Sequence, residues 1–190
     1  MTEMGKFNFI KTEIEDLYII EPTVFGDDRG YFMETYNEEF KPYVKHLDGT
    51  PCDFVQDNQS RSKRGVLRGL HFQTENPQGK LVRVLEGEVY DVAVDLRKNS
   101  PTYGRAVGVY LSAENKKQFY VPEGFAHGFI VTSEYATFSY KCTRLYDPSG
   151  EGGLLWCDPS LGIEWPSVGE VLLSEKDTKH PTLENLNFAF

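Results

Sequence analysis

Short apolar segments, each ended by a turn, recur along most of this chain and constrain its fold more than any other feature. Residues 107–111, 118–121 and 125–131 follow one another in this way, with the turn Pro122-Glu123-Gly124 between the last two. Aromatic residues make up 14% of the chain, and helical periodicity is scarce. Eight or more such segments at regular spacing predict an all-β antiparallel fold, which could be a sandwich, a barrel or a jelly roll.

Length and overall charge limit the functional classes. The 190 residues fit a single domain, 1–190, and the net charge of -9 argues against a general affinity for nucleic acid or for an anionic membrane. No window approaches the ~18 apolar residues of a membrane span. Cys52, Cys142 and Cys157 are odd in number and lack C-x-x-C spacing. They predict reduced thiols in a cytoplasmic protein.

The region from Arg61 to Arg83 departs from the acidic balance of the chain. It carries six basic residues against the single acid Glu75, so its formal charge is +5, while the remainder of the chain is at -14. Such a patch is typical of a solvated face, but it is also what a compact anion such as a diphosphate requires. Both interpretations stay open at this point.

The segment Gly65 to Gln73, GVLRGLHFQ, places an arginine and a histidine in an apolar strand interrupted by glycines. In a regular strand Arg68 and His71 would face opposite sides of the sheet. One extra residue accommodated at Gly69 would turn both side chains to the same side, and a glycine inside a strand often marks such a bulge. The alternative is a hairpin strand with a surface arginine and a half-buried histidine.

Among the four histidines, His71 and His127 are the candidates for proton transfer, because His46 and His180 lie in polar, loop-like contexts. The segment from Pro122 to His127 fits the P-x-G-x-x-H signature of the second cupin motif. The first cupin motif normally supplies H-x-H and a glutamate, whereas Phe72 and Gln73 follow His71. Three possible ligands, which are His71, Glu75 and His127, would make a thin metal site, so we expect neither metal nor cofactor.

Read together, several motifs closely resemble the dTDP-4-dehydrorhamnose 3,5-epimerase family from about Ile10 to Pro181. They are FGDDRGYFMETY, FVQDNQS, VLRGLHFQ, QGKLVRVLEGEVYDVAVDLR, YVPEGFAHGF and LSEKD. The resemblance implies a metal-free cupin jelly-roll barrel with short C-terminal helical segments. It also implies a homodimer that exchanges N-terminal strands and a dTDP-linked 4-keto-6-deoxy sugar as substrate.

The resemblance also implies catalytic roles. His71 is similar to the base, Tyr140 to the proton donor on the opposite face of the sugar, and Lys80 to the lysine beside the ketone oxygen. Asp177 is similar to the carboxylate that orients the histidine, although Ser174-Glu175-Lys176-Asp177 also matches a capping-box pattern in which Asp177 would cap a helix. Tyr140 has the alternative role of a core tyrosine.

The remaining roles implied by the resemblance concern substrate binding. Arg68 and Arg29 are similar to diphosphate ligands, although Arg29 could equally be an exposed hairpin-turn residue. Tyr146 is similar to an aromatic residue that stacks on thymine. Other substrate contacts are expected at Glu34, Gln56, Asp57, Asn58, Lys80, His127, Glu151 and Lys176.

The sequence leaves other activities open. Relatives with this fold epimerise a single carbon or isomerise the ketone with much the same histidine and tyrosine. Two interpretations from other classes are a metal-dependent cupin oxygenase and a non-catalytic cupin that binds sugar nucleotides.

Overall fold

The computed structural model describes residues 5–190, and these residues form thirteen β-strands joined by turns and short 3₁₀ segments. In chain order the strands are β1 Phe7–Lys11, β2 Tyr18–Pro22, β3 Phe25–Asp27, β4 Gly30–Phe32, β5 Gln56–Lys63, β6 Leu67–Gln73, β7 Lys80–Glu86, β8 Glu88–Asp95, β9 Ala106–Ser112, β10 Gln118–Val121, β11 Phe125–Val131, β12 Tyr135–Cys142 and β13 Glu151–Gly153. No helical segment among residues 5–190 is long and apolar enough to cross a membrane.

Two antiparallel sheets build the barrel. One has the strand order β1-β2-β10-β7-β12-β5 and the other the order β13-β6-β11-β8-β9, while β3 and β4 form a separate hairpin. The largest apolar cluster joins both sheets, since it contains Val82, Phe119 and Phe138 from the first and Ala93 and Phe129 from the second. This architecture confirms the predicted all-β jelly-roll class.

Alternate side chains of strand β8 contribute to two different apolar clusters, one on each face of the sheet. Val92 and Val94 belong to an apolar cluster with Leu70, on the face opposite the one that carries Ala93. Alternation along this strand predicts an apolar face with Val92 and Val94 and a carboxylate-bearing face with Asp91 and Ala93, but Asp91 is fully buried. Both faces of β8 are therefore covered, and the carboxylate must find a partner inside the protein.

A β-bulge in β6 has the geometry that Gly69 predicted. His71 pairs with His127 and Arg68 pairs with Phe129, so β6 advances three residues while β11 advances two. Gly69 has a φ of 133°, and a Cβ built on it would lie 2.6 Å from the Cα of Gly128. Only glycine fits this close approach of two backbones. The extra residue turns both Arg68 and His71 into the same cavity.

Replacement of Gly69 by alanine is expected to destabilise the protein and to impair its activity. The positive φ alone costs a side chain about 1–3 kcal/mol, and the Cβ would also meet the backbone of β11. Urea unfolding should show a lower midpoint than wild type. Gly49→Ala is the matched control, because Gly49 also has a positive φ, of 82°, but a Cβ there meets nothing within 4 Å. Equal midpoints for the two variants would contradict this account of the bulge.

The C-terminal segment crosses the five-stranded sheet and confirms the predicted short helical segments. It contains 3₁₀ segments at Asp177–Lys179 and Leu183–Asn185. Phe188 and Phe190 then pack beside Phe72 of β6, with ring centroids 5.5 and 5.9 Å from it. The 3₁₀ segment at Asp177–Lys179 itself contacts β6 through Asp177, which bonds to His71 and Gly69.

Candidate active site

A cavity of about 740 Å³ lies between the two sheets and collects most of the predicted catalytic side chains. Arg68 and His71 enter it from β6 and His127 from β11, while Lys80 and Tyr140 enter from β7 and β12 of the other sheet. Lys176 and Asp177 close one side from the C-terminal segment. His71 and Tyr140 therefore reach one space from opposite sheets.

His71 is held by a buried carboxylate. Its Nε2 lies 2.6 Å from Oδ1 of Asp177, whose Oδ2 also accepts from the backbone N–H of Gly69 at 3.4 Å. Although burial acts to raise it, the hydrogen bonds from His71, Gly69 and His180, together with the charge of His71, lower the pKa of Asp177 to about 2. The carboxylate is therefore ionised at neutral pH. With Nε2 engaged, Nδ1 of His71 is left for a bound molecule.

Of the two roles that the sequence left as alternatives for Asp177, the structure shows the contact with His71, whereas the carboxylate makes no return bond to Ser174 and does not cap a helix. Its backbone N–H donates to Oγ of Ser174 at 3.2 Å, as in a capping box, whereas its carboxylate is bonded to His71. The two contacts use different atoms of the residue and do not compete. In a capping box, the side chain at the position of Asp177 contacts the helix backbone. The sequence pattern alone therefore could not show that this carboxylate contacts His71 instead.

His180, which the sequence analysis set aside, also contacts Asp177. Its Nε2 lies 3.3 Å from the same Oδ1, and its ring stands edge-on to that of His71 with centroids 5.7 Å apart. The only local signal was its position three residues after Asp177 in a 3₁₀ segment, which brings the two side chains to one side.

Tyr140 presents a partly buried phenol to the cavity, as predicted by the alternation that places it on one side of the strand with the apolar Ala136, Phe138 and Cys142. Burial, together with the nearby Cys142, raises the pKa of Tyr140, while Arg68 and a hydrogen bond with Asn58 act in the opposite direction. Its ring also packs against the interior apolar cluster. The phenol therefore keeps its proton through neutral pH and can donate it.

Lys80 supplies a cation beside these groups. Its Nζ lies 6.0 Å from the centroid of the Tyr140 ring. Burial lowers the pKa of Lys80, an effect opposed by Cys142, Asp91 and Glu151. In the described part of the chain no ion pair engages its ammonium group, so the charge is available to an oxygen of a bound molecule.

His127 is fixed by the buried carboxylate of β8. Its Nε2 lies 2.9 and 3.0 Å from the two oxygens of Asp91. Burial raises the pKa of Asp91, against the opposing charges of His127 and Lys80. This pair explains the fully buried aspartate on β8, and it orients His127 at the cavity wall.

The predicted basic patch divides between the cavity and other surfaces. Lys63, Arg68 and Lys80 line the cavity, whereas Arg61 pairs with Glu86 at 3.2 Å and Arg83 lines a separate groove. Both Nε and Nη2 of Arg68 lie 3.1 Å from Oγ of Ser62. The part of the patch at the cavity matches a compact anion, and the rest is a solvated face.

The residues predicted to hold the nucleotide form a connected rim. The backbone N–H of Tyr146 donates to Oε1 of Gln56 at 3.0 Å, and its hydroxyl donates to Glu151 at 3.1 Å. Glu151 in turn pairs with Lys176 at 2.5 Å. Tyr146 is half exposed, so its ring is free to stack on a planar base.

The other predicted contacts lie away from the cavity. Asn58 and Asp57 line the neighbouring groove, where Asp57 pairs with Lys141 at 3.1 Å. Arg29 lies on the β3–β4 hairpin with its side chain 90% exposed and pairs with Asp27, while Glu34 accepts from Asn37. Within one chain the cavity is therefore built without Arg29 and Glu34.

Among residues 5–190, two clusters bring metal-binding residue types together, and neither includes Glu75. His46, Cys52 and Glu123 form the first, but Nη2 of Arg144 lies 3.1 Å from Nδ1 of His46 and opposes a cation there. In the second cluster, made of His71, Asp177 and His180, the 2.6 Å contact is a hydrogen-bond distance. Ligands of a tetrahedral zinc stand roughly 3.4 Å apart. The predicted set of His71, Glu75 and His127 is not brought together.

Comparison with known proteins decides the family. The profile of the dTDP-4-dehydrorhamnose 3,5-epimerase family matches residues 11–185. The chain belongs to this family. The dTDP-4-dehydrorhamnose 3,5-epimerase of Salmonella typhimurium is 58% identical over 92% of this chain and 94% of its own length.

Solved structures agree with this membership in the dTDP-4-dehydrorhamnose 3,5-epimerase family. The enzyme from Legionella pneumophila, in complex with dTDP-4-keto-L-rhamnose, is 51% identical with a TM-score of 0.89 and covers 95% of each chain. A 3'-monoepimerase from Streptomyces bikiniensis, in complex with dTDP-quinovose, is 35% identical with a TM-score of 0.82 over 91% of this chain and 86% of its own. The protein is thus an isomerase of the dTDP-rhamnose pathway. The two interpretations from other classes that the sequence left open, a metal-dependent oxygenase and a non-catalytic binder, are therefore wrong.

Proposed function

We propose that this enzyme inverts carbons 3 and 5 of dTDP-4-keto-6-deoxyglucose by proton transfer between His71 and Tyr140. The observation that carries the proposal is the entry of these two side chains into one cavity from opposite sheets. Inversion of a carbon requires a base on one face of the sugar ring and an acid on the other. An imidazole and a protonated phenol supply that pair.

The chemistry runs through an enolate. Nδ1 of His71 takes the proton from the carbon next to the ketone, and the electrons of that C–H bond move into the carbon 4 carbonyl. Lys80 neutralises the charge that develops on the oxygen, a contribution of several kcal/mol for a group placed in advance. Tyr140 then delivers a proton to the opposite face. Asp177 keeps the His71 ring aligned and stabilises the imidazolium.

The nucleotide end of the substrate is proposed to lie along the basic side of the cavity and its rim. Arg68 presents a planar guanidinium suited to diphosphate oxygens. Tyr146 stacks on thymine, and Gln56, Glu151 and Lys176 hold its position through the contacts that link them. His127, fixed by Asp91, contacts the sugar.

The three unpaired cysteines are consistent with a cytoplasmic reaction.

A second copy of this chain is proposed to complete the site. The β3–β4 hairpin leaves Phe25, Tyr31 and Phe32 at 49%, 61% and 67% exposure, an apolar surface that favours burial in a dimer. Arg29 and Glu34 lie on or just after this hairpin and outside the cavity of their own chain. Exchange of this region would bring Arg29 to a partner's diphosphate, with Asp57 and Asn58 at the adjoining groove.

The dimer makes a direct prediction for Phe32→Asp. A charge in the centre of the apolar hairpin should produce a monomer, which light scattering after gel filtration would detect, and should weaken substrate binding because Arg29 is withdrawn. Leu85→Asp, which charges an exposed leucine outside the hairpin, is the matched control and should remain dimeric. A wild-type protein that is monomeric at micromolar concentration would refute the proposal.

Isotope exchange tests the reaction itself. Enzyme and dTDP-4-keto-6-deoxyglucose in deuterated water should give product with deuterium at both carbon 3 and carbon 5, as read by proton NMR and mass spectrometry. Deuterium at one carbon alone would favour the single-carbon reaction, a candidate because the monoepimerase from Streptomyces bikiniensis shares this fold. No exchange at either carbon would end the proposal.

A further inference from the structure

Asp177 contacts a second imidazole, that of His180, which is not among the residues that line the cavity. Oδ1 of Asp177 lies 2.6 Å from Nε2 of His71 and 3.3 Å from Nε2 of His180. The side chain of His180 is 11% exposed and that of Asp177 is 4% exposed. One carboxylate oxygen therefore serves two histidines in a largely desolvated place, where such hydrogen bonds are strengthened.

The position of His180 depends on a glycine in the strand next to His71. A Cβ built on Gly153 would lie 2.2–2.3 Å from three atoms of the His180 ring, so only glycine leaves room for the imidazole. Gly153 is the register partner of His71 in the β13–β6 pair. The backbone N–H of Leu155 also donates to the carbonyl of Pro181 at 2.8 Å, which ties the chain after His180 to this strand.

We propose that His180 is a positioning residue: its neutral ring donates Nε2–H to Asp177, which holds the carboxylate against His71 and takes up part of its negative charge. The inference rests on the proposed role of His71 as the base. Burial and the nearby His71 lower the pKa of His180, so the ring stays neutral and keeps acting as a donor at neutral pH. Other charged groups facing the histidines are Lys176, on the same turn as Asp177, and Glu151 of β13.

The shared oxygen should tune the basicity of His71. Protonated His71 is stabilised by the charge of Asp177, and a second donor to the same oxygen reduces the charge available to it. Loss of His180 should therefore leave more of the Asp177 charge on His71 and favour its protonated form. Because a protonated imidazole cannot act as the base, the acid limb of the kcat/KM profile should move to higher pH.

The experiment compares His180→Met, which removes the donor, with His180→Gln, which keeps an N–H near the same place. Two readouts are taken: the pH profile of kcat/KM, and the titration of the His71 ring by NMR in the free enzyme. His180→Met should move both to higher pH, by on the order of half a pH unit. It should also lower kcat about tenfold through looser alignment of the base. His180→Gln should lie near wild type in both.

Gly153→Ala gives an independent route, because it leaves His180 in the chain and displaces its ring. It should reproduce the shift of His180→Met, and the double variant should shift no further than either single one. It also tests the role of His180 if His180→Met fails to fold. Unchanged His71 titration in these variants, or an equal shift in His180→Gln, would overturn the inference.

The two proposals fail in different ways. If His71 is not the base, the enzyme with His71→Asn keeps its turnover, whatever the NMR titration shows. If His71 is the base but His180 is only a packing residue, its replacement lowers thermal stability and leaves the acid limb of the pH profile in place.

Discussion

His71→Asn is expected to lower turnover at least about 100-fold, the usual share of general-base catalysis. Asparagine keeps a polar amide near the place of Nδ1, but it is too short to reach Asp177 from the place of Nε2. It cannot accept a proton from carbon. Deuterium exchange at carbon 3 and at carbon 5 should therefore fall together with product formation, since both carbons depend on the same base.

His46→Asn is the matched control for this prediction. His46 pairs with Glu123 at 2.8 Å outside the active-site cavity, so the same substitution there should leave turnover within about twofold of wild type once folding is verified by circular dichroism. Near-normal exchange in His71→Asn would contradict the assignment of the base. Loss of exchange at only one carbon would mean that a second base serves the other.

The strands that alternation and turns define were predicted well. The segments 118–121 and 125–131 coincide with β10 and β11, because apolar residues fill them and Pro122-Glu123-Gly124 separates them. The same pattern predicts a hairpin with its turn at Glu86-Gly87-Glu88. The strands β7 and β8 form on either side of this turn, but they lie in different sheets and do not pair, so the hairpin prediction is wrong and the turn connects the two sheets. In these strands the local sequence and the tertiary packing favour the same conformation.

Strands whose pairing comes from distant partners were misplaced or missed. FVQDNQS predicts a strand over 54–60, but β5 is the polar segment Gln56–Lys63, paired along its whole length with β12. The chain from Asp147 onward is typical of a loop because Glu-Gly-Gly carries no strand pattern, but pairing with β6 makes Glu151–Gly153 the strand β13. The residues after the turn at 26–30 predict a second hairpin strand from Tyr31 to Tyr36, whereas β4 ends at Phe32. Tertiary hydrogen bonding overrides propensity in each case.

The active site also has features that local sequence predicts and features that depend on distant contacts. Gly69 in an apolar strand was enough to predict the bulge that turns Arg68 and His71 into one cavity, since the effect is local. The neighbourhood of Asp177 depends on contacts across more than 100 residues, and no spacing rule reaches that far. His180 was missed for the same reason, because its place is shaped by Gly153 of another strand and not by the polar residues around it.

Tyr140→Phe should separate proton removal from inversion. His71 is intact in this variant, so it can still take a proton from the sugar and return deuterium to the same face, whereas the opposite face has lost its donor. Inversion should fall at least about 100-fold, while exchange into the recovered substrate continues. NMR of substrate and product from one reaction in deuterated water measures both.

The control for this variant is Tyr135→Phe, which removes a hydroxyl from the exposed start of the same strand. It should behave as wild type. Normal inversion by Tyr140→Phe would show that another group or water supplies the proton. Equal loss of exchange and inversion would show that the phenol is needed already when the enolate forms.

Because burial raises the pKa of Tyr140, any loss of activity caused by its ionisation should begin only above the usual range of a tyrosine and should vanish in Tyr140→Phe.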